Sequence, residues 1–159
     1  MRVARTRAFD RWLADIVDSR SPAYLGDAGL HVQGQVEALI DILRVAEHPV
    51  GRPDGAPLRG SRYALHELRW PRLGRGEGPD ARSGQPVVRV FYGLVVRRFE
   101  PSRGQSRSAV VLLGGNKTTA IAKSGSQDRW YADHILVAEE RLEEWCADHP
   151  TLAPVRASR

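Results

Sequence analysis

The chain has 159 residues, 42% hydrophobic and 27% charged. That is enough for one hydrophobic core, too short for two ordinary domains and too apolar to be disordered throughout. The formal net charge is +5 and the isoelectric point about 10.0, which predicts attraction to polyanions. No apolar run approaches the ~18 residues of a membrane helix. No apolar stretch develops after the basic segment Met1–Arg7, so a secretory signal is not expected.

Residues 2–5 are expected as a short edge strand. Phe9, Trp12, Leu13, Ile16 and Val17 recur three and four apart and predict an amphipathic helix, which Pro22 ends. Val32, Val36, Leu39, Ile40 and Leu43 predict a second helix, closed by Pro49. Gly51, Pro53, Gly55, Pro57 and Gly60 then interrupt regular structure. From Tyr63 the period becomes two. Tyr63–Trp70 and Val87–Val96 read as strands, the latter strongly β-branched. Val88, Val90, Tyr92, Leu94 and Val96 share the face expected to pack on the helices, and Arg89, Phe91, Gly93 and Val95 share the other. Ala109–Leu113 is apolar on both faces, as a central strand would be. Ile135, Ala138, Leu142 and Trp145 mark a C-terminal helix, with Glu139, Glu140, Glu143 and Glu144 on its solvated side and Pro150 as its stop.

This order predicts an α+β sandwich: an antiparallel sheet with two N-terminal helices packed on one face and a C-terminal helix. Residues 1–150 are expected as a single domain and 151–159 as a flexible basic tail. Pro71–Pro86 stands out as a 16-residue link with four glycines and the cations Arg72, Arg75 and Arg82. Links of that length are either functional or disordered.

Familiar catalytic machinery is missing. Gly114-Gly-Asn-Lys-Thr118 has the composition of a phosphate loop without its spacing. The histidines form no metal-ligand pair, and no dense carboxylate cluster suggests a two-metal nuclease. Neither a metal nor a cofactor is expected. The lone Cys146 makes no intramolecular disulfide, and a reduced, cytoplasmic setting is the default. Only Lys117 and Lys123 are lysines, so nearly all of the 24 basic residues are arginine, the side chain whose planar fork suits phosphate and bases. GC-rich coding would produce the same bias.

Three segments resemble the RelE/HigB-type toxins of bacterial type II toxin–antitoxin systems, within the RelE/ParE superfamily. Tyr63-Ala-Leu-His-Glu-Leu-Arg69 is similar to the family strand ending in Glu-Leu-Arg. Val88-Arg-Val-Phe-Tyr92 is similar to its Tyr-Arg-hydrophobic-hydrophobic-Tyr strand, with Val88 in place of the first tyrosine. Val110-Val-Leu-Leu-Gly-Gly-Asn-Lys117 is followed by Trp130-Tyr131 and a terminal helix, as in the family. The order and spacing cover roughly residues 3 to 147 and imply a small RelE-like fold. The Pro71–Pro86 link is longer than the family's tight turn.

The resemblance implies a toxin that inhibits translation as a ribosome-dependent mRNA endonuclease (an mRNA interferase). The alternative is a ParE-like, non-enzymatic inhibitor of DNA gyrase, or a degenerate member that only binds its antitoxin. The implied partners are a cognate antitoxin of the helix-turn-helix type, together with the ribosome and mRNA. No membrane partner is expected. Metal-free RNA cleavage needs an activated 2′-hydroxyl, cations at the phosphoryl oxygens and an acid for the departing 5′-oxygen. Arg69, Arg89, Lys117 and Tyr131 are the catalytic candidates. Antiparallel pairing would bring Arg69 and Arg89 together, where their charges repel unless an anion bridges them. Arg69 paired with Glu67 is the structural alternative, and Glu67 is also a candidate base. Arg72, Arg75, Arg82, Trp130 and His134 are candidate RNA-binding residues, with Arg97, Arg98, Arg103 and Arg107 as further backbone contacts. A core position is the competing reading of Trp130, and a structural role that of His134.

Overall fold

A computed structural model of the chain describes residues 1–70, 86–98, 107–118 and 126–157. Among these, six strands form one sheet. They are β1 (Arg2–Arg5), β2 (Gly55–Pro57), β3 (Leu65–Trp70), β4 (Val88–Arg97), β5 (Ser108–Asn116) and β6 (Leu152–Pro154). The order is β1-β5-β4-β3-β2, with β6 pairing the end of β4 beyond β3. The α-helices that lie wholly within the described residues are α1 (Arg7–Asp15), α2 (Gly29–Val45) and α3 (Gln127–Asp148). Both α1 and α3 start on a side-chain cap, the Thr6 and Ser126 hydroxyls accepting from the backbone N–H of Phe9 and Arg129.

The α+β reading holds, with two corrections to the arrangement. First, the sheet is mixed: β1 runs parallel to β5 while the other pairings are antiparallel. Both N-terminal helices and strands β2–β4 lie between β1 and β5 in the chain, so no tight turn imposes an antiparallel return. Second, the helices cover both faces. Phe9 and Leu13 of α1 and Val32, Val36 and Ile40 of α2 bury Val88, Val90, Tyr92 and Leu94. Trp130, Ile135, Ala138, Leu142 and Cys146 of α3 bury Leu65, Phe91, Val95 and Leu112 on the opposite face. Strand β4 is therefore buried on both sides.

Two segments expected to be irregular are ordered. β2 forms within the Gly/Pro-rich stretch, pairing Gly55–Pro57 with His66–Leu68. The expectation of a flexible tail fails for residues 152–157. Leu152–Pro154 pairs with Val95–Arg97, and Arg156 bridges to Tyr63. The open edge of β4 beyond Leu65 supplies backbone partners that local composition does not reveal. The helix α3 also begins eight residues before Ile135, which carries Trp130, Tyr131 and His134 onto its first turns. Glu139 does not belong to its solvated side. It is 3% exposed and accepts from Ser61 Oγ at 2.8 Å and Arg62 Nε at 2.7 Å, pinning α3 to the start of β3.

A bulge decides which side chains of β5 meet α3. Phe91 pairs with Leu113 and Tyr92 with Val111, leaving Leu112 as an extra residue. Beyond it the alternation is inverted. Leu113 and Gly115 face α3, and Gly114 faces α1. A Cβ on Gly114 would sit 2.2 Å from the Trp12 ring, and one on Gly115 would lie 3.0 Å from both Trp130 and His134. Consecutive glycines here let aromatic rings close on the strand from both sides.

Gly114→Ala is expected to overpack the Trp12 contact and lower stability by about 1–3 kcal/mol. Gly34→Ala, in α2 with nothing within 4 Å of the added carbon, should raise it by ~0.5–1 kcal/mol. Denaturant unfolding of the two variants checks both signs.

Candidate active site

Three strands deliver their charged residues to one end of the sheet. Glu67 and Arg69 alternate with Leu68 and Trp70 along β3, so both point away from α1 and α2. The register sets Arg69 directly across from Arg89, and Arg89 across from Gly115. The absence of a side chain at Gly115 leaves space beside Arg89. Lys117 follows two residues later on the same face, its backbone N–H donating to Val87 O at 2.7 Å. Without the bulge at Leu112 this parity would be reversed. From α3, Tyr131 closes the group.

Glu67 is the hub. Its Oε1 accepts from Arg69 Nε at 2.7 Å and lies 2.6 Å from the second Arg69 nitrogen. Its Oε2 accepts from the Tyr131 hydroxyl at 2.8 Å and lies 3.6 Å from Arg89 Nε. Arg89 donates through one terminal nitrogen to the carbonyls of Val88 and Trp70, while its buried Nε has no hydrogen-bond partner. The Lys117 ammonium sits 4.9 Å from the centre of the Tyr131 ring, a cation–π distance. Glu67, Arg89 and Lys117 are only 2%, 3% and 6% exposed.

The structural alternative for Arg69 is the one the structure shows. It pairs with Glu67, and it faces Arg89, with the Glu67 carboxylate as the anion between them. Arg89 does point away from α1 and α2, but into the cover of α3 and not into solvent. Glu67 pairs with Arg69 and lies near Arg89, and Lys117 feels the opposing charges of Glu67 and Asp128, so three cations face two carboxylates. Burial, and then the charge of Arg89, push the Lys117 ammonium below the usual lysine range. Burial and the neighbouring Glu67 push the Tyr131 hydroxyl up to about 12.

The remaining candidates fall elsewhere. Trp130 is 4% exposed, and its ring packs against His134 at 4.0 Å and Phe91 at 5.8 Å. It is a core residue and offers no face to a base, because α3 starts early enough to turn it inward. His134 stacks between these rings, and its Nδ1 contacts Trp130 O at 2.8 Å. Burial holds its pKa below the usual histidine range. Arg72, Arg75, Arg82 and Arg103 lie outside the described residues. Arg97, Arg98 and Arg107 lie toward the opposite end of β4 and β5. Among the described residues, no three His, Cys, Asp or Glu side chains gather where they could hold a metal ion, and no helix is long and apolar enough to cross a membrane. Sequence reasoning underrated Glu67. Its signal was present, since a glutamate sharing a strand face with one arginine and opposing another is placed to bridge them.

Comparison with known proteins points to the class of HigB/RelE-type toxins. The chain is 27% identical over 112 residues, 70% of its own length, to the Mycobacterium tuberculosis protein named "Putative toxin HigB3", of which the match covers 75%. The likeness to this class carried by the three strand motifs therefore holds, at a distance. No family model matches the chain, and no solved structure matches it.

If Glu67 fills an anion site, its removal leaves unbalanced buried cations. Glu67→Gln is expected to cost about 3–5 kcal/mol. Inorganic phosphate should then raise the Tm of the variant more than that of the parent, because it replaces the missing charge. Equal responses would show that the carboxylate does not occupy such a site.

Proposed function

We propose that this protein is the toxin of a type II toxin–antitoxin pair and that it cuts mRNA on the ribosome without a metal ion. The observation that carries this reading is the buried cluster in which Arg69 and Arg89 flank the Glu67 carboxylate and Lys117 stands over the Tyr131 ring. Such a group retains the charge to hold a phosphodiester in a site of low dielectric, where the attraction is strong. The name of the M. tuberculosis relative supports a toxin, with a cognate antitoxin as its partner. A helix-turn-helix antitoxin, the ribosome and a cytoplasmic setting complete the proposal.

In the reaction, the 2′-oxygen attacks phosphorus and the bond to the 5′-oxygen breaks. Arg69 and Arg89 hold the non-bridging oxygens and stabilise their developing charge. Lys117, with its amine displaced toward the neutral form, accepts the 2′ proton. Tyr131, which stays protonated far into the alkaline range, delivers a proton to the 5′-oxygen. The products are a 2′,3′-cyclic phosphate and a 5′-hydroxyl end. For the arginines to turn to the phosphate, Glu67 must give up part of its hold on Arg69. Arg72, Arg75 and Arg82 are proposed as contacts to the RNA backbone.

Expression without an antitoxin should stop protein synthesis before DNA synthesis, as read by metabolic labelling. DNA synthesis halting first would instead mark a gyrase inhibitor. In a purified translation system, Arg89→Ala and Lys117→Met should each slow cleavage by about 10²–10³. Cleavage should rise with pH and level off below the ordinary lysine range, and Lys117→Met should lose that dependence. A Lys117→Met protein that keeps both rate and pH profile removes Lys117 from proton transfer.

A further inference from the structure

Three surface clefts share walls. The first adjoins the candidate site, where Tyr131, Ala132 and Ile135 line it together with Arg59. Arg59 and Gly60 also line the second, which reaches His66, Arg107 and Arg156. Arg107 in turn lines the third, where Arg2 and Arg97 flank the opposite end of the sheet. The clefts therefore form a chain from the cationic cluster to the far ends of β4 and β5. The path is at least as long as β4 between Arg89 and Arg97, about 25 Å.

The first cleft also holds Asp128 and Glu139, the latter paired with Arg62; beyond it the chemistry is one-sided. No carboxylate lines the second or third cleft among the described residues. Arg2, Arg59, Arg107 and Arg156 are exposed, and none has an ion-pair partner among the described residues. Each cleft also holds one partly exposed ring whose position is braced from within. Tyr131 lies beneath Lys117, His66 stacks on Tyr92 at 5.2 Å, and Trp145 stacks on His149 at 3.8 Å. Spaced cations along a groove neutralise a phosphate backbone, and interleaved rings accept bases. An acidic peptide would use the cations and have no need of the rings.

We infer that these clefts are one track for a single strand of RNA, running from the candidate phosphate site past Arg59 to Arg107 and Arg2. The inference rests on RNA being the substrate and adds where the strand lies beyond the scissile bond.

The probe is a set of non-cleavable 2′-O-methyl oligoribonucleotides of about 4 to 16 nucleotides, the range of known single-strand grooves. Binding is followed by fluorescence anisotropy over a salt series. Affinity is expected to rise with length until the track is filled. Arg59→Gln, Arg107→Gln and Arg156→Gln should each lower the salt slope for long strands by about 0.7, and the far-end Arg107→Gln should leave the shortest strand unaffected. Variants that bind long strands with the parent's slope would overturn the track. So would polyglutamate binding as tightly as RNA with the same arginine dependence, which would mark an acidic-protein surface. The two readings fail separately. Cleavage on ribosomes by a protein with no arginine-dependent strand binding sinks the track alone. Arginine-dependent strand binding without any cleavage sinks the nuclease reading alone.

Discussion

The bridging of two opposed arginines by the Glu67 carboxylate is the interaction on which the functional end of the molecule depends. Cross-strand guanidinium groups on one face repel each other, and burial removes the water that would screen them. With Glu67 between them, the register Arg69↔Arg89 becomes tolerable. The same carboxylate takes the Tyr131 hydroxyl and so ties the first turn of α3 to the sheet. A buried ion pair of this kind adds little net stability, but losing one member is costly. The cluster therefore constrains which residues can occupy this end of the sheet more than it strengthens the fold.

Under the proposed function, Glu67 also accounts for how the phosphate site persists when empty. In the proposed reaction the carboxylate holds the place that a phosphate oxygen would take, at hydrogen-bonding distance from Arg69 and near Arg89. Unpaired, these cations would be held at a steep desolvation cost. The unsatisfied Nε of Arg89 and the depressed Lys117 mark where the compensation is incomplete. Perturbed groups of this sort concentrate at functional sites, although structural networks also produce them.

Around this end, ring packing and a second buried carboxylate add to the positioning. Trp12 presses on Gly114 from one face, and Trp130 with His134 on Gly115 from the other. Glu139 fixes α3 in register through Ser61 and Arg62. Trp130 and His134 thus support Tyr131 and Lys117 without touching the cluster's carboxylate. Their value to the site lies in holding α3 close to the sheet.

Much of the fold was legible in one dimension. The helical periods of residues 9–17 and 32–43 express burial on a single face each, and local pattern reports that directly; β4, buried on both faces, is marked instead by its β-branched, largely apolar run. The pairing of Arg69 with Arg89 followed from two adjacent strands of opposite direction. Other features depend on contacts between distant segments. The parallel placement of β1, the tail strand β6 and the burial of Glu139 are set by free edges and partners that no local pattern encodes. The bulge at Leu112 belongs with them: in an all-apolar run, Val110–Leu113 gives no hint of which residue is extra. That one residue inverts the alternation of β5 and sends Lys117 to the face of Arg89 and Tyr131. The sequence by itself determined which charged residues exist and which strands carry them. Tertiary structure alone decided that Lys117 and Tyr131 join Glu67, Arg69 and Arg89 on one side of the sheet, because the bulge in β5 and the seating of α3 are settled by the packing of both helical layers at once.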